Sequence, residues 1–126
     1  MKIINTKLHG MLDYFSAFLM VCPWISNFNT HSADTWILAS AGALSALYSV
    51  FTDYELGLIK LVPMKTHLIF DCIIALFLIV CPFIFSFPNY LHYWPMLLGV
   101  LEIAIVLVSS PISYKITRRD LDITRP

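Results

Sequence analysis

The sequence predicts an all-α membrane protein: four transmembrane helices formed by two tandem parallel-repeat helical hairpins, with both termini cytoplasmic. Three observations predict it: a charge-poor apolar composition, four long apolar segments with short connections, and an internal repeat. Of 126 residues, 59% are hydrophobic and 13% charged, against about 45–50% apolar and about 25% charged in soluble domains. Mean hydropathy is +0.78. Eight Lys+Arg and eight Asp+Glu would not cover the large solvent-facing surface of a small soluble domain. A net charge of zero excludes the concentrated basic face that nucleic-acid binding needs.

Residues 10–28, 35–52, 66–87 and 91–110 read as spans, because each approaches the roughly 20 helical residues that cross a bilayer core. None carries the charged stripe that a helix of a soluble bundle turns to water. The first resembles a signal peptide in following Lys2 and Lys7, but it contains Asp13, runs long and lacks a small-x-small cleavage site, so it is expected to stay as a helix. Lys and Arg near span ends are retained on the cytoplasmic side. Lys2 and Lys7 precede span one, Lys60 and Lys65 lie between spans two and three, and Lys115, Arg118, Arg119 and Arg125 follow span four. The connections 26–34 and 86–91 have none. Trp24, Trp36 and Trp94, with Tyr90 and Tyr93, fall at the outer boundary as an aromatic belt. Residues 114–126 read as a cytoplasmic tail, and His31 and His92 as exposed residues of the outer connections.

A shift of 58 residues superposes Lys7 on Lys65, His9 on His67, Asp13 on Asp71, Ala17 on Ala75, Trp36 on Trp94 and Ala46 on Ala104. In between, the register slips by one, matching Val21-Cys22-Pro23 to Val80-Cys81-Pro82 and Phe28 to Phe87. The single membrane domain thus divides into repeat 1, about 7–60, and repeat 2, about 65–112. An even number of spans per unit makes the copies point the same way, related by an axis along the membrane normal. Equivalent residues then share a depth.

A span that opens Lys-x-His-x-x-x-Asp (Lys7, His9, Asp13), closes on a small residue and Pro-Trp, and precedes a Trp-led span is similar to the SPW-repeat family of small bacterial membrane proteins. The stretch Thr52-Asp53-Tyr54-Glu55-Leu56-Gly57 resembles one found in two-repeat members. The resemblance covers Lys7 to about Ser110 and implies a four-helix fold in a bacterial inner membrane, without implying an activity. The family's Ser-Pro-Trp stands here as Cys22-Pro23-Trp24 and Cys81-Pro82-Phe83.

Ionisable groups at membrane depth are costly to bury and are therefore the functional candidates. His9 and Asp13 are spaced i,i+4, on one helix face, and His67 with Asp71 repeats the spacing. If spans one and three are neighbours, two imidazoles and two carboxylates converge near the cytoplasmic end. Such a set can ligate a divalent metal such as zinc, manganese or iron, pass protons, or clamp helices together by hydrogen bonds. Glu102, near the middle of span four, is the second candidate. Its equivalent is Leu44, so it breaks the symmetry; it suits ligand or proton binding, or a protonated side chain bonded to Ser45, Ser49 or Tyr48.

Cys22 and Cys81 are equivalents on the oxidising side and read as packing residues or as a thiol pair. Cys72 reads as packing. Pro23 and Pro82 kink or terminate their spans. Asp53 and Glu55 read as a solvated charge cluster that can border the His/Asp groups. No phosphate loop, hydrolase elbow or zinc-finger spacing is present. The leading expectation is a non-enzymatic module whose His9, Asp13, His67 and Asp71 cluster binds an ion, proton or small polar ligand. The alternatives are an assembly protein completed as a homo-oligomer, and a thiol oxidoreductase using Cys22 and Cys81.

Overall fold

The computed structural model describes residues 3–25 and 32–111, with the side chains of residues 23–25 and 89–92 outside that description. The expected tail 114–126, His31, and the side chains of Pro23, Trp24, Tyr90 and His92 therefore lie outside the described residues. Four helices follow in order, α1 (Thr6–Ile25), α2 (Ala33–Val50), α3 (Met64–Ile84) and α4 (Asn89–Val108). No strand is present among the described residues.

Local backbone features rather than hydropathy set the helix ends. Asn5 accepts the Leu8 backbone N–H through Oδ1 at 2.8 Å, an N-cap that starts α1 before the apolar run and takes in Lys7 and His9. Pro63 precedes α3 in extended geometry. Pro82 lies inside α3 two residues before its end, and Ser86 then turns the chain with a φ of 49°.

Each hairpin packs closely, α1 on α2 and α3 on α4, while α2–α3 and α1–α4 meet sparsely. The helices thus run in the cyclic order α1, α2, α3, α4, with α1 and α3 on a diagonal. Gly42 and Gly99 make the close approach: a Cβ on Gly42 would come within 2.7 Å of the Ala17 carbonyl, and one on Gly99 within 2.5 Å of the Ala75 carbonyl. Both seams between hairpins are stapled at one end by an equivalent parallel bridge, Thr52 to Val62 and Ile4 to Ser109. That end, the basic end, carries Lys7, Lys60 and Lys65.

The interior is layered. Away from the basic end, Met20, Leu38, Ala41, Leu78, Cys81, Phe87 and Leu98 form the apolar core. Toward the basic end most buried residues are polar, among them Thr6, His9, Asp13, Ser16, Ser45, Ser49, Thr52, His67, Asp71, Glu102 and Ser109, beside the apolar Met64 and Tyr54; at the far end Asp34 and Thr35 are also buried. Outward-facing positions are large and apolar, including Phe15, Phe18, Leu44, Leu47, Ile73 and Leu107. Trp36 and Trp94 are exposed near the far end. On its own sequence, α3 is the described helix long and apolar enough to cross a membrane. The helices α1 and α2 carry the polar side chains of the inner layer, and the strongly apolar part of α4 is the shorter 93–108.

Candidate metal centre

His9 and Asp13 lie one helical turn apart on α1, and His67 and Asp71 one turn apart on α3. All four are at most 2% exposed. The shorter contacts run between hairpins: His67 Nε2 to Asp13 Oδ2 at 2.7 Å and His9 Nε2 to Asp71 Oδ2 at 3.0 Å. Within each helix the distance is 3.3 Å, from His9 Nε2 to Asp13 Oδ1 and from His67 Nε2 to Asp71 Oδ2. The result is a closed ring that alternates imidazole and carboxylate. One ligand atom from each of the four residues lies within 4.8 Å of the others.

The far side of each imidazole fixes the tautomer. Thr52 Oγ1 donates to the Tyr48 carbonyl at 2.7 Å, and Ser109 Oγ donates to the Ile105 carbonyl at 2.6 Å. Each hydroxyl has one proton and has spent it on its own helix, so it accepts from the ring. His67 Nδ1–H therefore donates to Thr52 at 2.8 Å, and His9 Nδ1–H to Ser109 at 2.8 Å. Both Nε2 atoms, which are the ones aimed at the carboxylates, can then carry a lone pair. A neutral imidazole with its other nitrogen tied down in this way is the usual metal-ligand arrangement. Exchanging the protons on the two Nε2 atoms for one divalent cation leaves the net charge of the pocket unchanged.

The spacing suits a small ion. Tetrahedral ligands with bonds of about 2.0–2.1 Å stand about 3.3 Å apart; the imidazole–carboxylate contacts run from 2.7 to 3.3 Å, and the four ligand atoms taken together lie within 4.8 Å, so a small ion would draw them inward. The two carboxylates differ in their second oxygen. Asp71 Oδ1 accepts from the Tyr48 hydroxyl, whereas Asp13 Oδ1 is buried without a hydrogen-bond partner among the described residues. Ile105 stands on α4 where Tyr48 stands on α2, which is why Asp13 lacks the matching donor. The nearest charge partner of Asp13 Oδ1 is His9 Nε2 at 3.3 Å; a buried carboxylate oxygen without a hydrogen bond is costly, and a cation would relieve it.

The cluster is enclosed by two tyrosines. The Tyr48 ring lies 4.9 Å from that of His67, and the Tyr54 ring, from the connection 51–63, lies 5.7 Å from it. Burial, which disfavours the phenolate, holds the Tyr54 phenol well above the usual tyrosine range. Asp53 reaches Lys60 at 4.0 Å, and Glu55 accepts from the Thr6 hydroxyl at 2.6 Å.

Glu102 is buried but belongs to neither histidine. Ser16 donates to Glu102 Oε1, and the Ser16 hydroxyl also lies 3.1 Å from the Asp13 carbonyl. The expected partners Ser45, Ser49 and Tyr48 are incorrect, because those α2 side chains face the ring: Tyr48 bonds Asp71, and Ser49 stands 3.5 Å from Asp13 Oδ2. The expected equivalence of Glu102 with Leu44 also fails. The pairs Gly42 with Gly99 and Thr52 with Ser109 set a register one residue shorter, matching Glu102 to buried Ser45, while Leu44 is exposed. Cys22, Cys72 and Cys81 are free thiols. Cys81 is packed in the apolar core with its Sγ directed 3.6 Å from the carbonyl of Leu78 on its own helix, so no bond joins it to Cys22.

Thr52, Ser109, Tyr54 and Gly10 are the site residues that sequence reasoning passed over. Thr52 and Ser109 carry no charge, and the register that pairs them is off by one from the main repeat. No family model, curated protein or solved structure matches the chain.

Proposed function

We propose that this chain is a four-span, non-enzymatic protein of the bacterial inner membrane, akin to the SPW-repeat family, in which the two hairpins share one divalent transition-metal ion near the cytoplasmic side. The observation that carries it is the buried ring of His9, Asp71, His67 and Asp13, with one ligand atom from each within 4.8 Å of the others and both Nδ1 atoms occupied elsewhere. A mixed nitrogen and oxygen set suits borderline ions such as zinc, iron or manganese. The multi-pass reading is supported by the polarity of the fold, with polar side chains at the axis and large apolar ones outside. It is also supported by the gathering of the described basic residues at one end.

Metal analysis of detergent-purified protein is the test. Wild type is expected to hold a single ion per chain, and His9→Ala/His67→Ala to hold none. Wild type that remains metal-free at every added stoichiometry would sink the proposal. The same outcome would leave the ring as a hydrogen-bonded clamp between hairpins, a reading favoured by the sparse α2–α3 and α1–α4 packing.

A further inference from the structure

The turn that follows α2 lies across the ring at the basic end. Tyr54 is fully buried, although it sits in a connection rather than in a helix. Its ring fills the space beside Gly10, where any Cβ would overlap it. Gly10 follows His9 directly, so the ring seats against the ligand-bearing turn of α1 while also facing His67 of α3. Two contacts from α1 hold the turn down, and a Lys60 contact within the turn braces it. The Thr6 hydroxyl donates to Glu55 at 2.6 Å, the Lys60 ammonium donates to the Tyr54 carbonyl, and the Tyr14 hydroxyl reaches the Leu56 carbonyl at 3.4 Å.

The Tyr54 hydroxyl itself is buried with no hydrogen-bond partner among the described residues. What the turn lays over the ring residues is the Tyr54 aromatic ring, seated against Gly10 and facing His67. Tyr48 covers the ring on another side, its ring against His67 and its hydroxyl on Asp71. Four side chains that are 0–2% exposed, with aromatic rings over them, would leave an ion held there no route to a coordinated water.

Resting on the metal reading above, we propose that Tyr54 makes this a closed four-coordinate site and thereby selects a zinc-class ion over magnesium and calcium. Structural zinc sites use four protein ligands and no water. Magnesium demands six ligands and keeps several waters, and calcium takes six to eight oxygens. A pocket with two nitrogens, two carboxylates and an aromatic cover over its mouth satisfies the first and excludes the others. Tyr54 acts here as a positioning residue: it touches no ion and controls what else can.

Cobalt(II) loaded into the full chain in detergent tests this, because its visible bands are intense when four-coordinate and weak when six-coordinate. Wild type is expected to give the intense bands, to lose them to zinc, and to keep them in excess magnesium or calcium. Tyr54→Phe should behave as wild type. Tyr54→Ala should still bind one cobalt, show the weak bands, and release it to a chelator at least tenfold faster. Thr6→Val, which cuts a tether without touching the ring, should also speed release, and it keeps the test open if Tyr54→Ala does not fold. Wild-type cobalt with weak bands, or Tyr54→Ala with intense bands and wild-type release, would overturn the closed-site inference and leave the metal site standing. Wild type that binds neither cobalt nor zinc would overturn both.

Discussion

Thr52 and Ser109 hold the two histidines by one device: a hydroxyl whose proton goes to the carbonyl one turn back, leaving its oxygen to accept from Nδ1. Outer partners of ligating histidines typically matter by 10–100-fold in metal affinity. Thr52→Val and Ser109→Ala are each expected to weaken zinc binding by about that factor, read by competition against a chelator of known affinity. The double variant should depart from the product of the two, because both imidazoles belong to one ring of shared carboxylates. An affinity unchanged in both single variants would show that the imidazoles are oriented by something else. The four ring residues were legible in the sequence because charged groups in long apolar segments are conspicuous and because the His-x-x-x-Asp spacing occurs twice. Their hydroxyl partners were not, since serine and threonine are ordinary in membrane helices and carry meaning only once a ring nitrogen is found opposite them. The partner of Glu102 was misread for a related reason: spacing along α2 places Ser45, Ser49 and Tyr48 at a plausible depth but does not say which neighbouring helix they face.

Within each hairpin the helices close on a glycine that meets an alanine, Gly42 on Ala17 and Gly99 on Ala75. Small residues at such crossings let backbones approach, which matters where lipid removes the hydrophobic drive for helix association. Gly42→Ala and Gly99→Ala would each force a methyl group against a carbonyl and push the pair apart. Overpacking of this kind costs about 1–3 kcal/mol, and a lowered midpoint of thermal unfolding in detergent should report it for each variant separately. Wild-type midpoints would mean the hairpins are looser than their geometry implies. Between hairpins the cohesion is of another kind, for there the sparse packing is bridged by Tyr48 to Asp71, Ser16 to Glu102 and the His/Asp ring. Apolar runs were enough to locate all four helices, since hydropathy marks any segment that can bury its backbone in lipid. The ends moved by a few residues because the Asn5 cap and the bridges at Thr52 and Ile4 are local hydrogen-bond events that hydropathy does not register. Which helices pair tightly was legible only through the repeat.

Across the whole molecule, the two bridges, Thr52 to Val62 and Ile4 to Ser109, are related by the repeat, with the one-residue slip at Thr52 and Ser109. They tie the end of each hairpin to the start of the other. The start of α1, the end of α2, the start of α3 and the end of α4 must therefore lie together. The described lysines Lys7, Lys60 and Lys65 are all at that end, and the residues after Ser110 leave from it carrying Lys115, Arg118, Arg119 and Arg125. A basic residue near a span end is held back from translocation, so every basic residue of the chain favours the same orientation. Reporter fusions in the 57–60 connection and after Ser110 are expected to read as cytoplasmic, and fusions in 26–31 as external. Adding two lysines within 26–31 should weaken that bias, producing a mixed population, while lysines added next to Lys60 should not. A cytoplasmic reading at 26–31 in the unaltered chain would remove the four-span topology. The ring would then remain as a feature of the fold, but its position relative to the membrane, and the route by which an ion could reach it, would have to be drawn again from the exposed apolar faces of α1 and α3.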